Sequence, residues 1–346
     1  MTHSQSKASN SHMGKAISLV HGEGGRHSRE LLQAIFSWLK QPELEQAGDA
    51  SWVDVVSDQQ IAFTTDSYVV TPQFFPSGDI GKLAICGTLN DLAVAGARPL
   101  ALTFSLILEE GLSLELLERI VKSAAETCSE NDVRISCGDT KVVPKGTCDG
   151  IFINTAGIGR RELSMTGPES LRISDQILIT GPMGGHGLAI LAAREGIQFS
   201  PAPVSDLASL WPIVRALSES SLPVRTMRDA TRGGVAAVCH EWASVSGHSI
   251  QLQPERFPES ACLRGVAELL GLDPLHIANE GTMLLAVAKE HVESILDQLH
   301  SLPQSEKAAI IGEVVPSCTT PVMKLDLFGR AQAIDEPLGT PLPRIC

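Results

Sequence analysis

The sequence predicts an α/β protein of two domains, one in each half of the chain, followed by a short tail. Three observations lead there. The chain has 346 residues, enough for about two domains at ~150 residues each. Hydrophobic residues make up 43% and aromatic residues only 4%, so the core is built from Ala, Val, Ile and Leu, as is common in α/β layers. Strand-like runs also give way repeatedly to helical ones with 3.6-residue spacing. A composition shift over residues 160–172, rich in Arg, Gly and Pro, marks the boundary. The expected units are a disordered extension over 1–16, domains over 17–165 and 166–330, and a flexible tail over 331–346.

Charge and patterning exclude several functions. A net charge of −13 argues against nonspecific binding to nucleic acid or anionic membranes. No apolar run approaches the roughly 20 residues of a membrane helix, and the N-terminus lacks the apolar segment of a signal peptide. The eight cysteines are scattered, with no C-x-x-C pair and no zinc spacing, and read as reduced thiols of a cytoplasmic protein.

In the first half, residues 17–25 end in His21-Gly22-Glu23-Gly24-Gly25, glycines dense enough to let backbone N–H groups converge on an anion. No Gly-Lys-Ser/Thr follows, so this is not a Walker A loop. A short helix is expected over 31–39, then strands over 53–56 and 60–70. The second strand carries Asp66 near its end. Residues 82–95 read as a buried helix of small residues ended by Gly96 and Pro99. Asp91 is the only charge between Lys82 and Arg98, and a lone carboxylate there needs a cation or strong donors. A strand over 99–108 and a helix capped by Ser113 follow. The strand 133–136 runs into Cys137-Gly138-Asp139-Thr140-Lys141, where Gly138 permits a tight turn, and another strand covers 149–157. Asp66, Asp91 and Asp139 each sit where a strand or buried helix can aim them at one point. Three carboxylates without a histidine cluster favour Mg²⁺ over zinc, and Mg²⁺ held this way usually accompanies nucleotide phosphates.

In the second half, a strand over 176–180 turns through a glycine-rich segment into a helix over 188–195. Arg228-Asp229-Ala230-Thr231-Arg232-Gly233-Gly234 precedes a helix over 235–245. A phosphate-facing loop with Arg232 and a plainly capped helix both fit that stretch. Glu280 is a lone carboxylate at the entrance to a strand over 283–287, and a helix over 292–302 with a strand over 308–315 closes the unit. The tail ends Pro341-Leu342-Pro343-Arg344-Ile345-Cys346. A terminal thiol on a Pro/Gly-rich segment can act as a covalent carrier that reaches into a site elsewhere. The same tail fits an unstructured terminus that happens to stop at cysteine.

Together these motifs resemble the HypE family of hydrogenase maturation factors, within the PurM-like superfamily of ATP-using enzymes. The resemblance rests on the stretch from His21 and on Thr64-Thr65-Asp66, Gly87-Thr88-Leu89-Asn90-Asp91-Leu92 and Gly138-Asp139-Thr140-Lys141-Val142-Val143. It rests also on Thr231-Arg232-Gly233-Gly234, Asn279-Glu280-Gly281 and the final Pro343-Arg344-Ile345-Cys346. That ending separates the family from selenophosphate synthetases and thiamine-monophosphate kinases. Two features depart from the pattern: the extension before Met13, and Cys137 where relatives often have glycine. The resemblance implies two PurM-like α/β domains, with N-terminal domains paired in a homodimer and ATP near the groove between them. It implies that HypF carbamoylates Cys346 to a thiocarboxamide, that ATP drives its dehydration to a thiocyanate, and that the cyano group passes to iron on a HypC–HypD scaffold for [NiFe]-hydrogenase. Asp66, Asp91 and Asp139 would hold Mg²⁺, with Asn90 and Thr140 supporting the nucleotide. Arg232 would meet phosphate, Lys141 would balance charge or orient the amide, and Glu280 would be the base. Two alternatives remain: a PurM-like kinase acting on a free small molecule, and a nucleotide-binding thiol scaffold.

Overall fold

Two antiparallel strands, β1 (Ser51–Val56) and β2 (Gln59–Tyr68), begin the N-terminal sheet. A two-stranded hairpin of β3 (Phe74–Phe75) and β4 (Gly78–Asp79) leads into helix α1 (Ile80–Val94). Then come β5 (Ala97–Glu109), helix α2 (Leu114–Glu130), β6 (Arg134–Val143) and β7 (Ile151–Arg161). The computed structural model describes residues 25–27, 29–31, 33, 50–56, 59–258, 260–326 and 328–338. The expectations for the N-terminal extension, for the glycine-rich stretch before Gly25 and for Cys346 lie outside the described residues.

The first sheet has the order β1-β2-β7-β5-β6. β5 and β6 run parallel and the other neighbours antiparallel. Alternation sets its two faces. On β7, Ile151, Ile153, Thr155, Gly157 and Gly159 are buried while the residues between them are not. The buried set faces α1, whose residues are almost all inside. A helix apolar all round belongs between layers, and α1 lies between this sheet and the second domain, touching β9 and α4 defined below. Asp79 starts it, its carboxylate accepting from the N–H groups of Gly81 at 2.8 Å and Lys82 at 3.2 Å, which satisfies two donors that a helix start leaves open.

The second domain runs β8 (Gln176–Ile179), α3 (Gly185–Glu195), α4 (Trp211–Glu219), β9 (Thr226–Asp229), α5 (Gly234–Ser246) and β10 (Ser249–Leu252). It continues with α6 (Ala261–Leu270), β11 (Met283–Val287), α7 (Val292–His300), β12 (Ala309–Val315), β13 (Val322–Leu325) and β14 (Ala331–Ala333). Its seven strands have the order β14-β13-β10-β12-β8-β11-β9. Apolar clusters cover both faces. One gathers Val235, Cys239 and Trp242 of α5; the other gathers Val214 of α4 and Ile295 and Leu299 of α7. All five residues of β11 are therefore buried.

Two expectations are corrected here. Gly138 is not a turn. β6 continues through it to Val143, and any side chain at Gly138 would collide with the Phe104 carbonyl oxygen of β5. Glycine is needed there for close approach between strands. The tail does not begin at residue 331 either. β14 pairs with β13, and Ile334 is buried in the core under α5.

Candidate active site at the domain junction

The strand pairing decides which side chains of β2 face α1. Thr64 and Tyr68 are buried while Thr65 and Ser67 are exposed, so Asp66 shares the inner face with its even-numbered neighbours. Thr64 Oγ1 donates to Asp91 Oδ2 at 2.8 Å, which ties the strand carboxylate region to the helix carboxylate. Asp66 Oδ1 accepts from the Ser67 N–H at 2.7 Å. Behind them Tyr68 OH lies 3.3 Å from Thr88 Oγ1, and Thr88 bonds in turn to Thr155.

The second domain supplies the other wall. Glu280 is 4% exposed. Its backbone is held from two sides: Asp206 Oδ1 accepts from the Glu280 N–H at 3.2 Å, and Asp206 Oδ2 from the Gly281 N–H at 3.0 Å. Asp206 also accepts from the His186 N–H at 2.9 Å. Asn279, the residue before Glu280, is itself pinned, accepting from the Gly184 N–H at 2.7 Å and donating to the Ala230 and Ile277 carbonyls. Arg232 stands in the turn before α5.

These groups feel one another strongly. Burial first, then the charges of Asp229, Asp206 and Asp66, push the Glu280 carboxyl well above the usual carboxylate range, while Arg232 pulls it down. Burial also raises Asp66, again offset by Arg232, and raises Asp229. In all three acids burial leads the causes, so the junction holds carboxyl groups taken out of water with Arg232 as a shared counter-charge. Such a site calls for protons or an added cation.

One chain thus brings together Asp66, Asp91, Glu280 and Arg232. It does not bring Asp139 to them. Asp139 pairs with Ser105, Ser105 with Asn154 and Asn154 with Ser67, so Asp139 shares the outer face of the sheet. Asp66 pairs with Thr155 on the inner one. Asp139 and Lys141 are exposed and form an ion pair, Lys141 Nζ to Asp139 Oδ2, at 3.0 Å, and the hydrogen bond from Lys141 leads the causes that lower the Asp139 carboxyl. Thr140 lies between them on the same outermost strand. Among the described residues no three His, Cys, Asp or Glu side chains converge on a point fit for a metal ion. The three-aspartate cluster expected within one chain is therefore not formed, because the parity of β6 turns Asp139 outward.

Asn90 is also reassigned. Its Nδ2 donates to the carbonyls of Ala208 and Glu280, both at 3.1 Å, and its Oδ1 accepts from the Leu210 N–H at 2.7 Å. With its amide fully engaged and 1% exposed, it clamps the domains together rather than facing a nucleotide. Asp206 and Asp229 were missed from sequence. Asp229 ends β9 and carries the same strand-end signal that singled out Asp66; Asp206 lies in a segment without periodicity and carries none.

Residues 47–161 match the family described as AIR synthase related protein, N-terminal domain, and residues 172–323 match its C-terminal domain. Both domains are thus PurM-like. The carbamoyl dehydratase HypE of Escherichia coli (strain K12) is 44% identical over 338 residues, covering 95% of this chain and 99% of that protein. The chain belongs to the HypE family of carbamoyl dehydratases, the hydrogenase maturation proteins. Its fold agrees with HypE structures. A HypE in complex with ATP superposes with a TM-score of 0.79 at 39% identity, over 95% of this chain and 100% of that one. A HypE–HypF complex gives a TM-score of 0.82 at 38% identity, over 89% and 99% of the two chains. Among the described residues no helix is long and apolar enough to cross a membrane.

Proposed function

We propose that this chain uses ATP to dehydrate an S-carbamoyl group carried on its own Cys346 to an S-cyano group, the source of the cyanide ligands of the [NiFe]-hydrogenase iron. The observation that carries the proposal is the convergence of Asp66, Asp91, Arg232 and the buried Glu280 at the domain junction. Bound ATP supplies a phosphoryl group that turns the amide oxygen, a poor leaving group, into a good one. Arg232 attracts the phosphate oxygens and balances their charge. The C–O bond then breaks, phosphate departs, and the nitrogen gives up its two protons as C≡N forms.

Glu280 is the base for the nitrogen. A carboxylate with a raised pKa is a stronger proton acceptor than an ordinary one. The clasp by Asp206 and Asn90 fixes where it can accept. Asp66 and Asp91 offer the hard oxygens that Mg²⁺ prefers, and a dication would offset the burial that raises Asp66.

Asp139, Thr140 and Lys141 join the site from a second copy in this reading. Among the described residues β6 is the outermost strand of its sheet, and the outer face exposes Phe63 and Ile107. An edge strand beside apolar surface favours pairing with another chain. In the resulting homodimer, Asp139 would add a third carboxylate for Mg²⁺ and Lys141 a cation near the transferring phosphoryl or the amide oxygen. The carbamoyl group would come from HypF, the partner in a relative's structure, and the cyano group would leave to a HypC–HypD scaffold in the cytoplasm. The test is Cys346→Ala. It is expected to abolish both modifications while ATP affinity is kept. Modification that persists in this variant contradicts the reading.

A further inference from the structure

The last described residues are tied down one after another. His240 of α5 donates from Nε2 to the Ile334 carbonyl at 2.9 Å. His276 donates from Nε2 to the Asp335 carbonyl at 3.2 Å. Arg29 forms an ion pair with Glu336. The Arg26 N–H donates to the Pro337 carbonyl at 3.0 Å. Four consecutive residues thus have four separate holders, drawn from three distant parts of the chain. Gly25 has a positive φ of 74°, and any side chain on it would collide with Pro337. On its other side the Pro337 ring packs over Gly233, the residue after Arg232.

We propose that residues 334–337 are a fixed root that positions the carrier thiol, with Arg29, His240 and His276 as its positioning residues. The root rests on the carrier role of Cys346 proposed above. It places the start of the tether between Gly25 and Gly233, next to Arg232 of the junction site. Nine residues, Leu338 to Cys346, remain beyond it; at ~3.3–3.6 Å per residue they span at most roughly 30 Å. A short tether with a fixed origin holds the thiol at a high effective concentration over the site, whereas a loose origin lengthens the tether and dilutes it. Burial lowers the His240 pKa, so its imidazole serves as a neutral donor to a carbonyl.

The test uses the half-buried ion pair of the root. Arg29→Glu, Glu336→Arg and the double swap are made in the full chain. Each is carbamoylated by HypF, and single-turnover conversion of thiocarboxamide to thiocyanate is followed after ATP addition. Each single variant is expected to convert about tenfold more slowly, with ATP affinity and the rate of carbamoylation within about twofold of the parent, and the double swap is expected to recover most of the lost rate. Unchanged conversion in the single variants overturns the inference. So does a parallel loss of ATP affinity, which would make the root a prop for the nucleotide site, or a double swap that recovers nothing. Failure of the parent protein itself to convert would instead strike the carrier reading.

Discussion

Asn90 Nδ2 lies 3.1 Å from the carbonyl oxygen of Glu280, so a helix of one domain sets the position of the buried acid of the other. The same amide holds Ala208 and Leu210. The motif Gly87-Thr88-Leu89-Asn90-Asp91 therefore divides its labour. Thr88 and Asn90 serve the interior, and Asp91 serves the site through Thr64.

Replacing Asn90 by Ala takes the side-chain partner from the Ala208 carbonyl and the Leu210 N–H, while the Glu280 carbonyl keeps the Ala208 N–H. Each unsatisfied group costs about 1–3 kcal/mol, so the variant should lose on the order of 3 kcal/mol in urea denaturation. ATP affinity measured well below the denaturation midpoint should change far less than it does on loss of Asp66. A stable Asn90→Ala protein with abolished ATP binding would return Asn90 to the nucleotide.

The buried acids make stability depend on pH with a definite sign. Asp66 and Glu280 have folded values above their ordinary 3.8 and 4.5. The folded state therefore keeps protons that the unfolded chain releases. Their contribution is full below the ordinary values and is lost as pH rises through the folded ones. With metal chelated, the unfolding midpoint should fall as pH is raised from about 5 to 8, and Glu280→Gln should flatten that slope. A midpoint that rises over this window would contradict the assignment.

Glu280→Gln should also halt the chemistry. The variant should bind ATP, accept the carbamoyl group and stop there, because the amide side chain cannot take a proton from nitrogen. Normal cyanation in this variant would remove Glu280 from the mechanism.

Asp139 and Asp66 face opposite sides of one sheet, so they should complement one another between chains. Asp66→Asn and Asp139→Asn should each be inactive alone. An equal mixture, after subunit exchange, should regain about a quarter of the parent rate, since half the dimers carry one intact composite site. No recovery would place Asp139 outside the site.

Much of this was legible from the residues. The alternation in β2 and β7 and the small-residue pattern of α1 mark a sheet with a buried helix on it. Asp66, Asp91 and Glu280 stand out because each is a lone charge in an apolar setting. Other features depend on partners far away in the chain. Nothing near Asn90 signals that its acceptors lie at Ala208 and Glu280. Gly138 serves close approach as readily as a turn, and reading it as a turn hid the parity that sends Asp139 outward. β9 and β10, four residues each, lack the continuous apolar run that marks the equally short β8, and with β9 went Asp229.

Intact-mass analysis of the full chain bears most directly on the carrier chemistry. After incubation with HypF and its carbamoyl donor, the protein should gain one carbamoyl group at Cys346; on adding Mg²⁺ and ATP it should then lose one water. A carbamoyl group that persists through ATP hydrolysis, or ATP turnover on a free small molecule with Cys346 unchanged, would contradict it.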